Sequence, residues 1–175
     1  MDMDTISESR LQEVHPELAR RVRLLNDKCV ANGVGLRVTQ GLRTWTEQAA
    51  LYAQGRTAPG AIVTHAQPGY TAHNFGYAVD VVPDKADMPV FIPDWNTMDL
   101  SWKWVLMLAE QCELAEGAEW RTYVDYPHIY LRELPATPDE EFRYTLSEGG
   151  MQAVFALIDK RLAGTQAQLP AVTET

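Results

Sequence analysis

Cysteine is scarce in this chain: Cys29 and Cys112 are the whole supply. They lack the C-x-x-C spacing of a zinc or redox pair. Each falls on the apolar side of an expected helix, so two buried free thiols are expected rather than a disulfide. Neither stands at a loop or helix N-terminus that would activate its thiolate, which argues against a cysteine hydrolase. Basic residues are also few. Fifteen Lys and Arg face 24 Asp and Glu, for a net charge of −9 and a sequence pI near 4.8. No Lys/Arg run offers the counterion-release surface that nucleic acid requires, so no nucleic-acid partner is expected. The acidic balance gives no long-range pull toward anionic polymers or membrane surfaces. Long apolar runs are missing: none approaches the roughly 20 residues of a membrane helix. The opening "MDMDTISESR" has no basic segment followed by an apolar one, so it does not read as a secretory signal, and a protein made and first held in the cytoplasm is expected. Internal repeats, low-complexity segments and a second-domain boundary are absent as well.

What is present suits one soluble domain. The chain has 175 residues, 46% hydrophobic and 22% charged, enough to bury a real core. A single domain over 1–164 and a polar, frayed tail over 165–175 are expected, as a monomer. Pro16 opens a helix over 16–32 with Leu18, Val22, Leu25 and Cys29 on one stripe and Gly33 at its end. "GLRVTQ" alternates like a strand, with Leu36 and Val38 on one face. "TWTE" has the form of a capping box opening a helix over about 45–54. A Gly/Pro-rich loop over 55–72 follows, of a length that is usually functional. "YAVDVV" reads as a strand, 83–100 as an irregular surface excursion, and 101–116 as an apolar helix with Trp104, Leu108 and Cys112 on one side. A strand over 127–132, a helix start at 137–140 and an amphipathic helix over 148–162 stopped by Gly164 complete the reading. Helices and strands without regular βαβ alternation point to an α+β fold, a small, mainly antiparallel sheet with flanking helices.

Four histidines carry the chemistry to be assigned. His15 precedes Pro16 and reads as a capping or surface residue. His65 lies in the long loop and reads as solvated or as lining a site. His73 and His128 each stand where a loop meets a strand, with Asp80 and Asp125 at short range. A catalytic zinc site takes three protein ligands and leaves a fourth position for water. His73, Asp80 and His128 would supply that set. Strand alternation aims Asp80 into a cleft while Val79 and Val81 face the core, and Gly76 lets the chain turn back over the strand. Spacing alone equally allows a loop histidine and a strand-end aspartate that cap nearby amides.

"TAHNFGYAVD" (71–80) has the form Ser/Thr-x-His-x-x-Gly-x-Ala-x-Asp, and "DYPH" (125–128) the form Asp-x-Pro-His. Together they resemble the zinc D,D-carboxypeptidases and L-alanyl-D-glutamate endopeptidases of the bacterial cell wall. Those peptidases share a fold with the Hedgehog signalling domain and the vancomycin-resistance dipeptidases. Residues 40–82 are similar almost throughout to phage endolysins and autolysins of this family, and "EWRTYVDYPHIYL" (119–131) resembles a further segment of it. The resemblance runs in order over roughly 11–132.

The resemblance implies Zn2+ held by His73, Asp80 and His128, with Asp125 as general base and Arg43 facing the scissile carbonyl. It implies that bound zinc activates a water for attack on a peptidoglycan stem peptide. Thr71 stands where the family usually has Ser and keeps the hydroxyl. Ala118 and Glu119 stand where Gly and Asp are common, which leaves the wall near the base less defined. Gln48 reads either as holding the site or substrate or as solvent-facing. Trp120 is the candidate substrate-side aromatic; Trp45, Trp102, Trp104, Tyr70, Tyr77 and Tyr126 read as core or cleft wall. The expected activity is that of an endolysin cutting L-alanyl-D-glutamate bonds. A D-alanyl-D-alanine carboxypeptidase or dipeptidase, or an inactive zinc-stabilised wall-binding module, are the alternatives.

Overall fold

The computed structural model describes residues 3–84 and 91–166. Among them lie five helices and one four-stranded sheet. The order along the chain is α1 (Thr5–Leu11), α2 (Pro16–Ala31), β1 (Leu36–Gln40), α3 (Trp45–Ala53), β2 (Ala78–Pro83), α4 (Leu100–Gln111), β3 (Leu114–Glu116), β4 (His128–Leu131) and α5 (Glu140–Gln166). The sheet is antiparallel throughout, in the order β1-β2-β4-β3. This is the expected α+β architecture.

Local chemistry explains most boundaries. Pro16 sits in the first turn of α2, and His15 Nδ1 accepts from the Glu17 amide. The capping box at α3 is formed: Thr44 Oγ1 accepts from the Glu47 amide, and the Glu47 carboxylate accepts from the Thr44 amide. Asp139 caps α5 by accepting from the Phe142 amide. α2 packs on α4, and α4 in turn lies against β2 and β3. Leu18, Val22, Leu25 and Cys29 are fully buried on the stripe expected of α2. On the sheet's core face Val79 pairs with Ile129 across β2 and β4, both fully buried.

Several expectations change. The acidic N-terminus, where no element was expected, forms α1: Asp4 caps it through the Ile6 and Ser7 amides, and it packs on β1. The 101–116 helix stops at Gln111. Glu113, not a glycine, takes the left-handed turn (φ 56°), and the chain leaves it as β3. Trp104 is exposed; the buried side of α4 carries Trp102, Val105 and Leu108. The helix expected to start at 137–140 and the one expected over 148–162 are both present within α5, separated by the non-helical backbone of Gly150 (φ 65°, ψ −168°), but Gly164 does not end the second. Of the two readings of His15 the capping one holds and the surface one does not: it caps α2 and is buried, with Nε2 3.3 Å from Asp159. Cys29 and Cys112 are buried and unpaired as expected. Residues 85–90 of the expected surface excursion and 167–175 of the expected tail lie outside the described residues.

Candidate active site

Register brings the first two candidate ligands together. Asp80 on β2 faces His128 on β4 in the antiparallel ladder, on the side opposite the Val79–Ile129 pair. The β1 edge of this neighbourhood is irregular. Val38 pairs with Val81 and Gln40 with Asp80, so Thr39 is a bulged extra residue whose hydroxyl donates to the Asp80 carbonyl. His73 arrives from outside the sheet, on a 3-10 turn over Ala72–Phe75 that ends at left-handed Gly76 (φ 69°). A Cβ at Gly76 would lie 2.9 Å from the Phe155 ring, so glycine is required there by both conformation and space.

The three side chains converge. His73 Nε2 lies 3.1 Å from Asp80 Oδ1 and 3.1 Å from His128 Nδ1, and His128 Nδ1 lies 3.4 Å from Asp80 Oδ1. One ligand atom from each falls within 4.8 Å of the others, so this group can bind a metal. His73 Nδ1 sits 2.9 Å from the Gly41 carbonyl, which only accepts. The proton therefore belongs on Nδ1, and Nε2 presents a lone pair to the centre. His128 Nε2 is buried with no hydrogen-bond partner among the described residues, and among them this ring's polar contacts run through Nδ1, toward the same centre. Two imidazole nitrogens and a carboxylate oxygen are the donor set of a catalytic zinc site. Burial opposes the charge on Asp80, but His73 and His128 outweigh it and hold this carboxyl below the usual range.

Arg43 lies beside this centre, half a turn before α3. Its Nη2 is 3.5 Å from Asp80 Oδ2, and its Nη1 donates to Gln48 Oε1 at 2.9 Å. Burial lowers the Arg43 pKa, against the pull of Asp80. Gln48 is fully buried, which removes its solvent-facing reading. Its Nε2 donates to the Ala66 carbonyl at 2.7 Å, so one amide ties α3, Arg43 and the 55–72 loop together.

Asp125 lies in the loop before β4, its carbonyl accepting from the His128 amide. Burial, and then the charge of Asp80, push its carboxyl pKa upward. Arg43, Asp125, Thr71, Trp120 and the three convergent residues all line one cleft of about 870 Å³. The Trp120 ring leans on His128 with centroids 5.0 Å apart. Thr71 is buried, and its hydroxyl makes no cap bond to the 3-10 turn. Glu119 is exposed and Ala118 half-buried, and neither lines the cleft. The wall near Asp125 rests instead on Gly117, where an added Cβ would lie 2.6 Å from the Asp125 carbonyl oxygen and 3.1 Å from His128 Cβ.

Two further positions were not singled out by sequence reasoning. Asn74 is buried: its Nδ2 donates to the Arg43 carbonyl at 2.7 Å, and its Oδ1 accepts from the Gly69 amide at 2.9 Å. It locks the His73 turn to the Arg43 segment and to the loop. Tyr123 meets His65 across the cleft mouth, edge to face with centroids 5.0 Å apart. Asn74's place inside "TAHNFGYAVD" was the one available signal, but nothing local names its distant partners.

The chain matches the VanY family, described as D-alanyl-D-alanine carboxypeptidase, over residues 11–121. It is 33% identical over 123 residues to the peptidoglycan L-alanyl-D-glutamate endopeptidase CwlK of Bacillus subtilis (strain 168), covering 68% of this chain and 74% of that one. In three dimensions it is similar to the LD-carboxypeptidase LdcB, with a TM-score of 0.53 at 18% identity over 84% of this chain and 64% of that one. It is similar also to the vancomycin-resistance D,D-dipeptidase VanXYg, with a TM-score of 0.52 at 18% identity over 84% of this chain and 60% of that one. The last two likenesses show a shared fold. Family match, sequence identity and a metal-binding group in a cleft agree: the chain belongs to the VanY family of peptidases.

Proposed function

We propose that this chain is a zinc-dependent peptidoglycan endopeptidase that hydrolyses the L-alanyl-D-glutamate bond of murein stem peptides. The observation that carries the reading is the convergence of His73, Asp80 and His128 on one cleft wall, flanked by Arg43 and Asp125. The choice of bond is supported by the identity with CwlK, whose name states that activity.

His73 Nε2, Asp80 Oδ1 and His128 Nδ1 would hold the metal. When bound, Zn2+ supplies a positive charge toward the scissile carbonyl and lowers the pKa of a water toward about 7. The chain's own residues do the rest. Asp125 accepts a proton from the attacking water and delivers it to the leaving amine as the C–N bond breaks. Its upward shift brings it closer to a base that works near neutral pH. Arg43, fixed by Gln48, places a guanidinium beside the developing oxyanion. Trp120 and Thr71 shape the wall against which the peptide lies.

The family description favours a second reading, removal of a terminal D-alanine. Mass spectrometry of a murein digest separates the two. New L-alanine carboxyl and D-glutamate amino termini support the proposal; release of D-alanine alone supports the carboxypeptidase. The similarity of residues 40–82 to phage endolysins extends the proposal to a lytic role, with the protein held in the host cytoplasm until a membrane pore admits it to the wall. Expression in a Gram-negative host with and without a pore-forming protein tests that extension: lysis only with the pore supports it.

A further inference from the structure

We propose that His65 recognises the free carboxylate of the glutamate on the leaving side of the scissile bond. This rests on the endopeptidase reading above. A glutamate whose amino group is in the scissile bond has two carboxyl groups. One carries the onward chain, and the other enters the cleft as a free anion. The protein carries a net charge of −9, so nothing but a local donor can receive that anion.

The described residues lining the cleft include neutral donors such as Gln40, Tyr70 and Thr122, but few groups able to bear charge. Those able to bear charge are Arg43, His65, His73, Asp80, Asp125 and His128. His73 and His128 are turned toward Asp80, and Asp80 and Asp125 repel a carboxylate. Arg43 is engaged by Gln48 through Nη1 and lies against Asp80 through Nη2, and its Nε, though without a hydrogen-bond partner among the described residues, is buried rather than open to the cleft mouth. His65 remains. It is exposed and has no hydrogen-bond partner among the described residues.

Its backbone is nevertheless held on both sides. The Thr64 carbonyl accepts from Arg56 Nη2 at 3.1 Å, and the Ala66 carbonyl accepts from Gln48 Nε2 at 2.7 Å. The Ala66 amide donates to Thr64 Oγ1, closing a short turn around His65. The ring is buttressed edge-on by Tyr123 from the opposite rim, at an interplanar angle of 70°. A fixed backbone, a supported ring and unused N–H capacity at the cleft mouth form a preorganised acceptor for an anion. The same amide that fixes Arg43 fixes the segment carrying His65, so one buried residue sets the spacing between the reacting carbonyl and the recognised carboxylate.

The test uses two synthetic stem peptides that differ only at that glutamate, one with the free carboxylate and one with the carboxamide. KM and kcat are measured by amine release for the wild type, His65→Ala and His65→Lys. The wild type is expected to favour the acid peptide. His65→Ala is expected to lower the acid-to-amide ratio of kcat/KM by about fivefold, through KM, as for a partly exposed ion pair. His65→Lys is expected to restore it. A wild type without preference for the acid, an unchanged ratio in His65→Ala, or a ratio left low in His65→Lys overturns the inference while the endopeptidase reading stands. A wild type that cleaves neither peptide overturns both.

Discussion

Asp80 and His128 stand opposite each other in the β2–β4 ladder, so the sheet's register sets the spacing between two of the three proposed metal ligands. A slip of either strand by one residue would turn its ligand to the other face, away from its partner. The pair directly behind them, Val79 and Ile129, is fully buried and fixes that register. The site thus takes its rigidity from the core.

That relationship makes a core substitution a test of the site. Ile129→Val is expected to cost about 0.5–1.5 kcal/mol and Ile129→Ala about 2–5 kcal/mol. Zinc affinity is expected to fall in the same order. Urea unfolding of the metal-free protein, paired with zinc titration, checks both. Equal zinc affinity in wild type and Ile129→Ala would show that ligand spacing is independent of the core behind it.

Gln48 is argued to fix Arg43 and the loop together. Gln48→Ala leaves the Ala66 carbonyl without its side-chain donor and the Arg43 guanidinium without its acceptor. A loss of about 1–3 kcal/mol of stability is expected. The drop in kcat is expected to approach that of Arg43→Ala, for which about 10²–10³ follows from removal of an oxyanion donor. Steady-state kinetics on the single and double variants decides: additive losses would mean that Gln48 does not act through Arg43.

Gly117→Ala is expected to shift the Asp125 loop. The added methyl lies 2.6 Å from the Asp125 carbonyl oxygen, a backbone atom with little room to give. Overpacking of this kind costs about 1–3 kcal/mol. Activity is expected to fall more than zinc binding, since the methyl presses harder on the Asp125 backbone (2.6 Å) than on the proposed ligand His128 (3.1 Å to its Cβ). A zinc titration beside a kinetic assay reads the difference, and wild-type kinetics would contradict the role given to Gly117.

Much of this site was legible in "TAHNFGYAVD". Strand alternation places Asp80 in the cleft and its neighbours Val79 and Val81 in the core, as the structure shows. The turn at Gly76 was legible for the same reason: glycine announces a left-handed residue. The turn at Glu113 was not, because a residue with a side chain stands there. β3 was lost with it, and three residues carry no period of their own. α1 was missed because seven polar-rich residues show no stripe; its stability comes from the Asp4 cap and from β1. Asn74 and Gly117 act through partners far away in sequence, Arg43 for one and Asp125 for the other. No local pattern encodes such partners.

Away from the site, Glu17 anchors an acid-sensitive network. Hydrogen bonds from Arg20, reinforced by Arg21, lower its carboxyl pKa to about 2, and Arg21 continues to Glu133 at 2.8 Å. A depressed carboxyl pKa stabilises the fold above the unfolded value, here 4.5. That contribution is lost as pH falls through the window from 4.5 toward 2. Thermal unfolding between pH 6 and about 2 is expected to show Tm falling through this window in the wild type. Glu17→Gln is expected to have a lower Tm at pH 6 and a shallower fall; a parallel fall in both proteins would contradict the network's role.

The most direct test of the whole account is zinc stoichiometry measured beside cleavage. Metal-free protein is titrated with Zn2+, and bound metal and murein cleavage are followed together, for the wild type and for His73→Ala, Asp80→Ala and His128→Ala. The account predicts one zinc per chain in the wild type, cleavage rising in proportion to it, and loss of both in each variant. Full cleavage by metal-free wild type, or stoichiometric zinc retained in all three variants, would contradict it.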